Sequence, residues 1–252
     1  MPNILLLGGT TEASALAHLL AQRGVPATLS YAGRTDHPRA QPIPIRVGGF
    51  GGAEGLATYL REQQVTHLVD ATHPFAATMS GNAVTAAAAS GVPLLALTRP
   101  AWAPVAGDRW QHVPDIDGAV AALNGSARRV LLALGRLHIA AFARQPQHHY
   151  VLRFVDAPAV PPPLPDHHLI VDRGPFTPER DHALMAAHRI DLVVCKNAGG
   201  SGAEAKLIAA RALGLPVLMI DRPALPPRAE VTKPEAVLDW LAHTPSATKR
   251  GV

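Results

Sequence analysis

Short apolar runs of strand length alternate with alanine-rich stretches of helix length along the chain. Ile4 to Leu7 reads as a strand, Thr11 to Arg23 as a helix stopped by Gly24-Val25-Pro26, and Ala27 to Tyr31 as the next strand, together a βαβ unit. The alternation continues through a strand near Ile43 to Val47, a helix from Ala53 to Gln63, a strand at His67 to Val69, a helix at Ala76 to Ser90 and a strand at Leu94 to Leu97. Strands that are apolar throughout, rather than at every second position, suit a parallel sheet covered by helices on both faces.

The rhythm weakens between Arg99 and Arg128, where Pro100, Pro104, Pro114 and two tryptophans interrupt it, so residues 101–127 read as a junction. It resumes with strands at Val130 to Leu134, Tyr150 to Phe154, Leu169 to Val171, Leu192 to Cys195 and Val217 to Ile220, and helices at Pro178 to His188 and Ala203 to Leu213. The predicted division is a first α/β domain over residues 1–100 and a second over residues 128–245, with residues 246–252 a frayed tail. The run PAVPPPLP, Pro158 to Pro165, lacks the N–H donors of a central strand and reads as a surface crossing.

A length of 252 residues admits one large or two small domains, since domains usually run to ~100–200 residues. Nearly half the residues are apolar but few are aromatic, which favours close-packed helices on sheets over an all-β sandwich. The one cysteine, Cys195, excludes an intramolecular disulfide, and no Cys/His spacing matches a zinc site, so a reducing cytoplasm and no metal are expected. The apolar run in MPNILLLGG has no basic residues before it and is too short to span a bilayer, so no membrane role is expected. The net charge of +4 comes from scattered single arginines, which argues against nucleic acid and leaves an anionic ligand open.

The first strand-to-helix joint reads Gly8-Gly9-Thr10-Thr11-Glu12-Ala13. A dinucleotide pyrophosphate meets free N–H groups at such a helix start. Against G-x-G-x-x-G/A the first glycine and the final alanine fit, while Thr10 replaces the middle glycine; the plainer reading is a tight turn with Thr10 as helix cap. An NAD site would place Asp or Glu ~20 residues on, at the end of the second strand. That strand ends Ser30-Tyr31-Ala32-Gly33-Arg34 instead, so Ser30 and Arg34 are expected to hold a 2′-phosphate, Gly33 to contact the cofactor, and the cofactor to be NADPH. The cluster Gly48-Gly49-Phe50-Gly51-Gly52, with Gly49 a candidate contact, would let backbone approach a flat ligand.

The stretch DATHPFAATMSGN, Asp70 to Asn82, sets polar groups where a buried strand meets a helix, and Pro74 separates the two. His73 is the candidate proton donor. Asp70 or Thr72 would orient it or bind cofactor with Pro74, and Ser80 and Asn82 are candidate substrate contacts. In the second half, Lys196-Asn197-Ala198-Gly199-Gly200-Ser201 again stands between strand and helix, an anion-binding arrangement that is not a P-loop because Lys206 lies inside the helix. Lys196, Asn197, Gly199, Gly200, Ser201 and the arginines at predicted strand ends, Arg99, Arg136, Arg153 and Arg222, are candidate carboxylate binders, each with a structural ion pair as the plainer reading. His148-His149 and His167-His168 read as solvated loop residues.

These features occur in the order GGTTEA, SYAGRT, Gly48 to Gly52, DATHPFA, GPFTPE and KNAGGSGAEAK through LPVLMIDRP, and over nearly the whole chain they resemble the precorrin-6A reductase family of the cobalamin pathway. The resemblance implies two Rossmann-like parallel-sheet domains with cofactor and macrocycle in a cleft between them. It also implies NADPH-dependent reduction of one carbon–carbon double bond of a carboxylate-rich corrin precursor, precorrin-6A giving precorrin-6B, with room for hand-over to neighbouring pathway enzymes. Ala198 departs from a serine in the family's Lys-Asn-Ser-Gly-Gly form of the loop. A cobalt-precorrin-6A reductase of the anaerobic route, a non-catalytic NADP(H)-sensing protein and a nucleotide-sugar transferase stay open as alternatives.

Overall fold

The computed structural model describes residues 2–32 and 40–245. In chain order its strands and α-helices are β1 (Ile4–Leu7), α1 (Thr11–Gln22), β2 (Ala27–Tyr31), β3 (Ile45–Val47), α2 (Gly52–Glu62), β4 (His67–Asp70), α3 (Ala77–Ser90), β5 (Leu94–Leu97), β6 (Arg109–Val113), α4 (Ile116–Ala122), β7 (Arg129–Ala133), β8 (His149–Phe154), β9 (His167–Val171), α5 (Pro178–Ala187), β10 (Leu192–Lys196), α6 (Ala205–Ala212), β11 (Pro216–Ile220), β12 (Glu230–Val231) and α7 (Pro234–His243). Two units divide them: Met1–Pro100 with Ala224–Val252, and Ala101–Pro223.

Each unit is a parallel six-stranded sheet with helices, the α/β class the apolar runs predict. The first sheet has the order β12-β5-β4-β1-β2-β3 and the second β6-β11-β10-β7-β8-β9. Within each, five strands follow the dinucleotide-fold order, and the direction of winding reverses between β1 and β4 and between β7 and β10. The sixth place differs in origin. In the first sheet it falls to β12, made after the whole second unit, and in the second to β6, which precedes its five companions.

The pleat sorts the first unit's core. Ile4, Leu6, Leu29 and Val69 pack with Leu16 and Leu20 of α1 and with Val237 of α7. Leu5, Leu7 and Leu68 pack on the opposite side with Leu56 and Leu60 of α2 and the alanines Ala83, Ala86 and Ala87 of α3. His67 Nε2 lies 3.2 Å from the Thr244 carbonyl and its ring meets Trp240 edge-on, so α7 is tied to β4; burial lowers the His67 pKa. The strand register lines up Arg46, Ser30, Leu7, Asp70, Ala96 and Glu230 in one row across the sheet near its carboxyl edge.

The structure differs from the sequence reading at the margins of the sheets. Residues 101–127 are not a junction: β6 and α4 lie there, α4 capped by Asp115 Oδ1 accepting from the Gly118 N–H at 2.7 Å. RWQHV has no apolar run because an edge strand shows most of its residues to solvent. Residues 224–245 belong to the first unit rather than the second, through β12 and α7. His148 is buried, with Nδ1 accepting from the Arg128 N–H at 3.1 Å and Nε2 2.7 Å from the Leu123 carbonyl, so it fixes a turn instead of sitting in solvent.

Candidate functional site

At the carboxyl edge of the first sheet, the loops after β1 and β4 form the two lips of the switch point. Gly8 is there for packing: a Cβ on it would stand 2.4 Å from Leu29 Cδ1. Gly9 has φ +123 and open space where a Cβ would be, a left-handed position that lets a ligand come against backbone. Thr10 caps α1, its Oγ1 accepting from the Ala13 N–H at 3.1 Å and donating to the Ala71 carbonyl at 2.8 Å, so its hydroxyl ties the two lips together. The N–H groups of Thr11 and Glu12 in the first turn of α1 have no acceptor among the described residues. An open glycine beside unbonded helix N–H groups fits a dinucleotide pyrophosphate.

The Glu12 carboxylate accepts from the Thr11 hydroxyl at 3.1 Å and from Arg99 at 3.3 Å. Arg99, read from the sequence as a substrate arginine, is therefore drawn to the start of α1, where an acidic group also complements the helix dipole.

Asp70 has a different part from the catalytic one expected of it. Its Oδ1 accepts from the Thr72 N–H at 3.0 Å and the Thr72 hydroxyl at 2.7 Å, its Oδ2 accepts from the Ser80 hydroxyl at 2.6 Å, and Arg228 pairs with the same oxygen. The carboxylate is 1% exposed and the guanidinium 8%, so this is a buried, saturated ion pair that positions Thr72 and engages the Ser80 hydroxyl. Arg228 carries no sequence signal: it stands in a proline-rich stretch 158 residues from its partner.

His73 follows on the same lip, half-buried. Its Nδ1 accepts from the Phe75 N–H at 3.2 Å, which leaves the ring proton on Nε2, and its carbonyl accepts from the Ala76 N–H at 2.7 Å. Pro74 is buried beneath this turn, and Asn82 lies part-exposed on α3. Ser30 is buried at the end of β2; Gly33 and Arg34 lie outside the described residues. Gly49 is exposed beyond β3.

In the second unit the equivalent lips follow β7 and β10. Lys196 Nζ lies 2.7 Å from Nε2 of His138, a histidine in the 3-10 turn Arg136–Arg144 that the sequence reading passed over. The Asn197 amide is engaged within the protein: its Oδ1 accepts from the Trp102 N–H at 2.8 Å and its Nδ2 donates to the Trp102 carbonyl at 3.0 Å. Arg222 Nε donates to the Asn197 carbonyl at 3.0 Å and Nη2 to the Ala198 carbonyl at 3.1 Å, so it braces the same loop. Ala198 is buried there. Gly199 and Gly200, at φ 70 and 74, turn the chain into the short 3-10 helix that opens on exposed Ser201.

Arg136 is exposed at the head of its turn. Arg153 is committed elsewhere: it pairs with Asp181, 3% exposed, and lies 3.8 Å over the Phe176 ring, which accounts for the Phe176 of GPFTPE. Cys195 is fully buried and burial raises its thiol pKa, so it has no reactive character. Among the described residues no helix is long and apolar enough to cross a membrane.

Residues 3–242 match the model of the precorrin-6x reductase CbiJ/CobK family. The chain belongs to this family. It is 57% identical to the precorrin-6A reductase of Rhodobacter capsulatus over 252 residues, all of both chains, and 46% identical to that of a Sinorhizobium species over 96% of this chain and 93% of the relative. The cobalt-precorrin-6A reductase of Priestia megaterium is 29% identical over 88% of this chain and 91% of the relative. A solved structure of CobK precorrin-6A reductase superposes with a TM-score of 0.93 at 57% identity, covering both chains completely. Membership of a reductase family implies a nicotinamide cofactor, and the resemblance drawn from GGTTEA, DATHPFA and KNAGGSG is confirmed.

Proposed function

We propose that this protein reduces one carbon–carbon double bond of precorrin-6A to give precorrin-6B in cobalamin biosynthesis, in the cytoplasm, with NADPH as the reductant. The observation that carries the reading is the open Gly9 beside the unbonded N–H groups of Thr11 and Glu12, facing the Thr72-His73-Pro74 lip, in a chain of this family. The metal-free substrate is favoured over the cobalt-loaded one by the higher identity to the precorrin-6A reductases.

Gly9, Thr11 and Glu12 would hold the pyrophosphate through backbone, and Ser30 with Arg34 the 2′-phosphate. Bound there, the nicotinamide supplies a hydride. Thr72 is held by Asp70, and the turn at Pro74 fixes His73, whose ring, protonated from solvent to the imidazolium, would give a proton to the carbon next to the one that takes the hydride and return to its neutral form. In the second unit Lys196, with the Gly199-Gly200-Ser201 turn and Arg136, offers cationic and N–H groups to substrate carboxylates.

Mixing the purified protein, NADPH and precorrin-6A tests the activity. Oxidation of the nicotinamide with a gain of two hydrogens by the macrocycle is expected, and neither occurring would remove the reading. Arg34→Ala is expected to weaken NADPH binding by more than about tenfold, the value of one charge-assisted contact, and NADH binding little. Titration of each cofactor against both proteins measures this, and equal losses for the two would count against Arg34 as the phosphate contact.

A further inference from the structure

Ser30 and Arg46 are in-register neighbours on β2 and β3, so their side chains share one face of the sheet. Arg46 Nη1 donates to the Gly48 carbonyl at 2.5 Å and to Ser30 Oγ at 3.3 Å, and Nη2 donates to the Gly49 carbonyl at 2.6 Å. The guanidinium lies 3.8 Å from the centroid of Phe50 and 5.2 Å from that of Tyr59, two rings packed edge to face. The Phe50 backbone lies close against α2: a Cβ on Gly55 would stand 1.7 Å from the Phe50 carbonyl oxygen. The guanidinium is thus held in one orientation.

Its partners are neutral, three oxygens and two ring faces, and the contacts use both Nη1 hydrogens and one on Nη2. The Nε–H and the second Nη2–H have no acceptor among the described residues. The Ser30 hydroxyl accepts from Arg46 and keeps its own hydrogen to donate. A half-buried cation without a counter-charge among the described residues therefore stands beside the end of β2, where dinucleotide folds bring the adenosine ribose and where the sequence lacks the discriminating carboxylate of an NAD site.

We propose that Arg46, acting with Ser30, is a specificity-determining residue that contacts the 2′-phosphate of the cofactor. The inference rests on the NADPH reading above. The phosphate supplies the missing negative charge and accepts from the unused guanidinium hydrogens and the Ser30 hydroxyl.

Calorimetric titration with adenosine 2′,5′-bisphosphate and adenosine 5′-monophosphate tests this on the full chain. Arg46→Met keeps the stem that packs on Phe50 and removes charge and donors. It is expected to weaken the bisphosphate about 10- to 100-fold, the range of a hydrogen bond to a charged group, and to change the monophosphate less than about threefold. Arg46→Lys keeps the charge and loses the fork, and a bisphosphate-selective loss of about tenfold is expected, which keeps the test open should the methionine variant not fold. Equal losses for both nucleotides would show that Arg46 only props the Gly48–Gly49 turn, and unchanged binding would give it no part; either overturns the proposal. Wild-type protein that binds both nucleotides equally would instead sink the NADPH reading, and this inference with it.

Discussion

Replacing Arg228 by methionine is expected to lower the stability of the first unit by about 3–5 kcal/mol, the cost of leaving a buried carboxylate without its partner. Asp70 is 1% exposed, and after the change only the hydroxyls of Ser80 and Thr72 and one N–H would remain to it. Glu230, 3.1 Å from Arg228, would lose its partner as well, but it is largely in solvent and adds little. Adding Asp70→Asn to the variant is expected to recover most of the loss, because the amide still accepts from Thr72 and brings no charge. Denaturant unfolding followed through Trp240 fluorescence, in a background with Trp102 and Trp110 replaced by phenylalanine, gives the comparison. A loss under about 1 kcal/mol for the single variant would mean that water reaches the carboxylate and screens it.

Turnover is expected to fall about 10²-fold in His73→Ala, the lower end for general acid catalysis, with NADPH affinity kept within a few fold. The geometry that supports this is local. The Phe75 N–H engages Nδ1 and fixes both the ring and its tautomer, and the His73 carbonyl closes the turn through the Ala76 N–H. His73→Gln, which keeps a hydrogen-bonding group but has no proton to give, separates the roles. If His73 only shapes the turn, glutamine restores turnover; if it delivers the proton, glutamine is as slow as alanine while cofactor titration stays near normal. Single-turnover absorbance at saturating NADPH reads both variants.

Central strands and the first loop were legible because each is a local statement. β1, β2, β4, β5, β7, β10 and β11 are buried and so carry apolar runs, and Gly8-Gly9-Thr10 announces a tight turn followed by a cap. The edge strands β6 and β12 were not legible. One is mostly exposed and the other has only two residues, so neither carries an apolar period. The same physics divides the site. Thr72, His73 and Lys196 sit at strand ends where polar residues are conspicuous, whereas Arg228, Arg46 and His138 gain their meaning from partners that no spacing reveals. Asp70, Ser80, Asn197 and Arg153 were conspicuous for the opposite reason. Polar groups buried so near a sheet edge must be satisfied by something, and here the partner is the protein itself.

The late arrival of β12 gives the protein an order of assembly. A chain leaving the ribosome makes β1 to β5 first, then the entire contiguous second unit, and only then the segment that fills the sixth place of the first sheet. The half begun first is therefore finished last. Until residue 228 emerges, the Asp70 carboxylate lacks the cation that it pairs with in the folded protein.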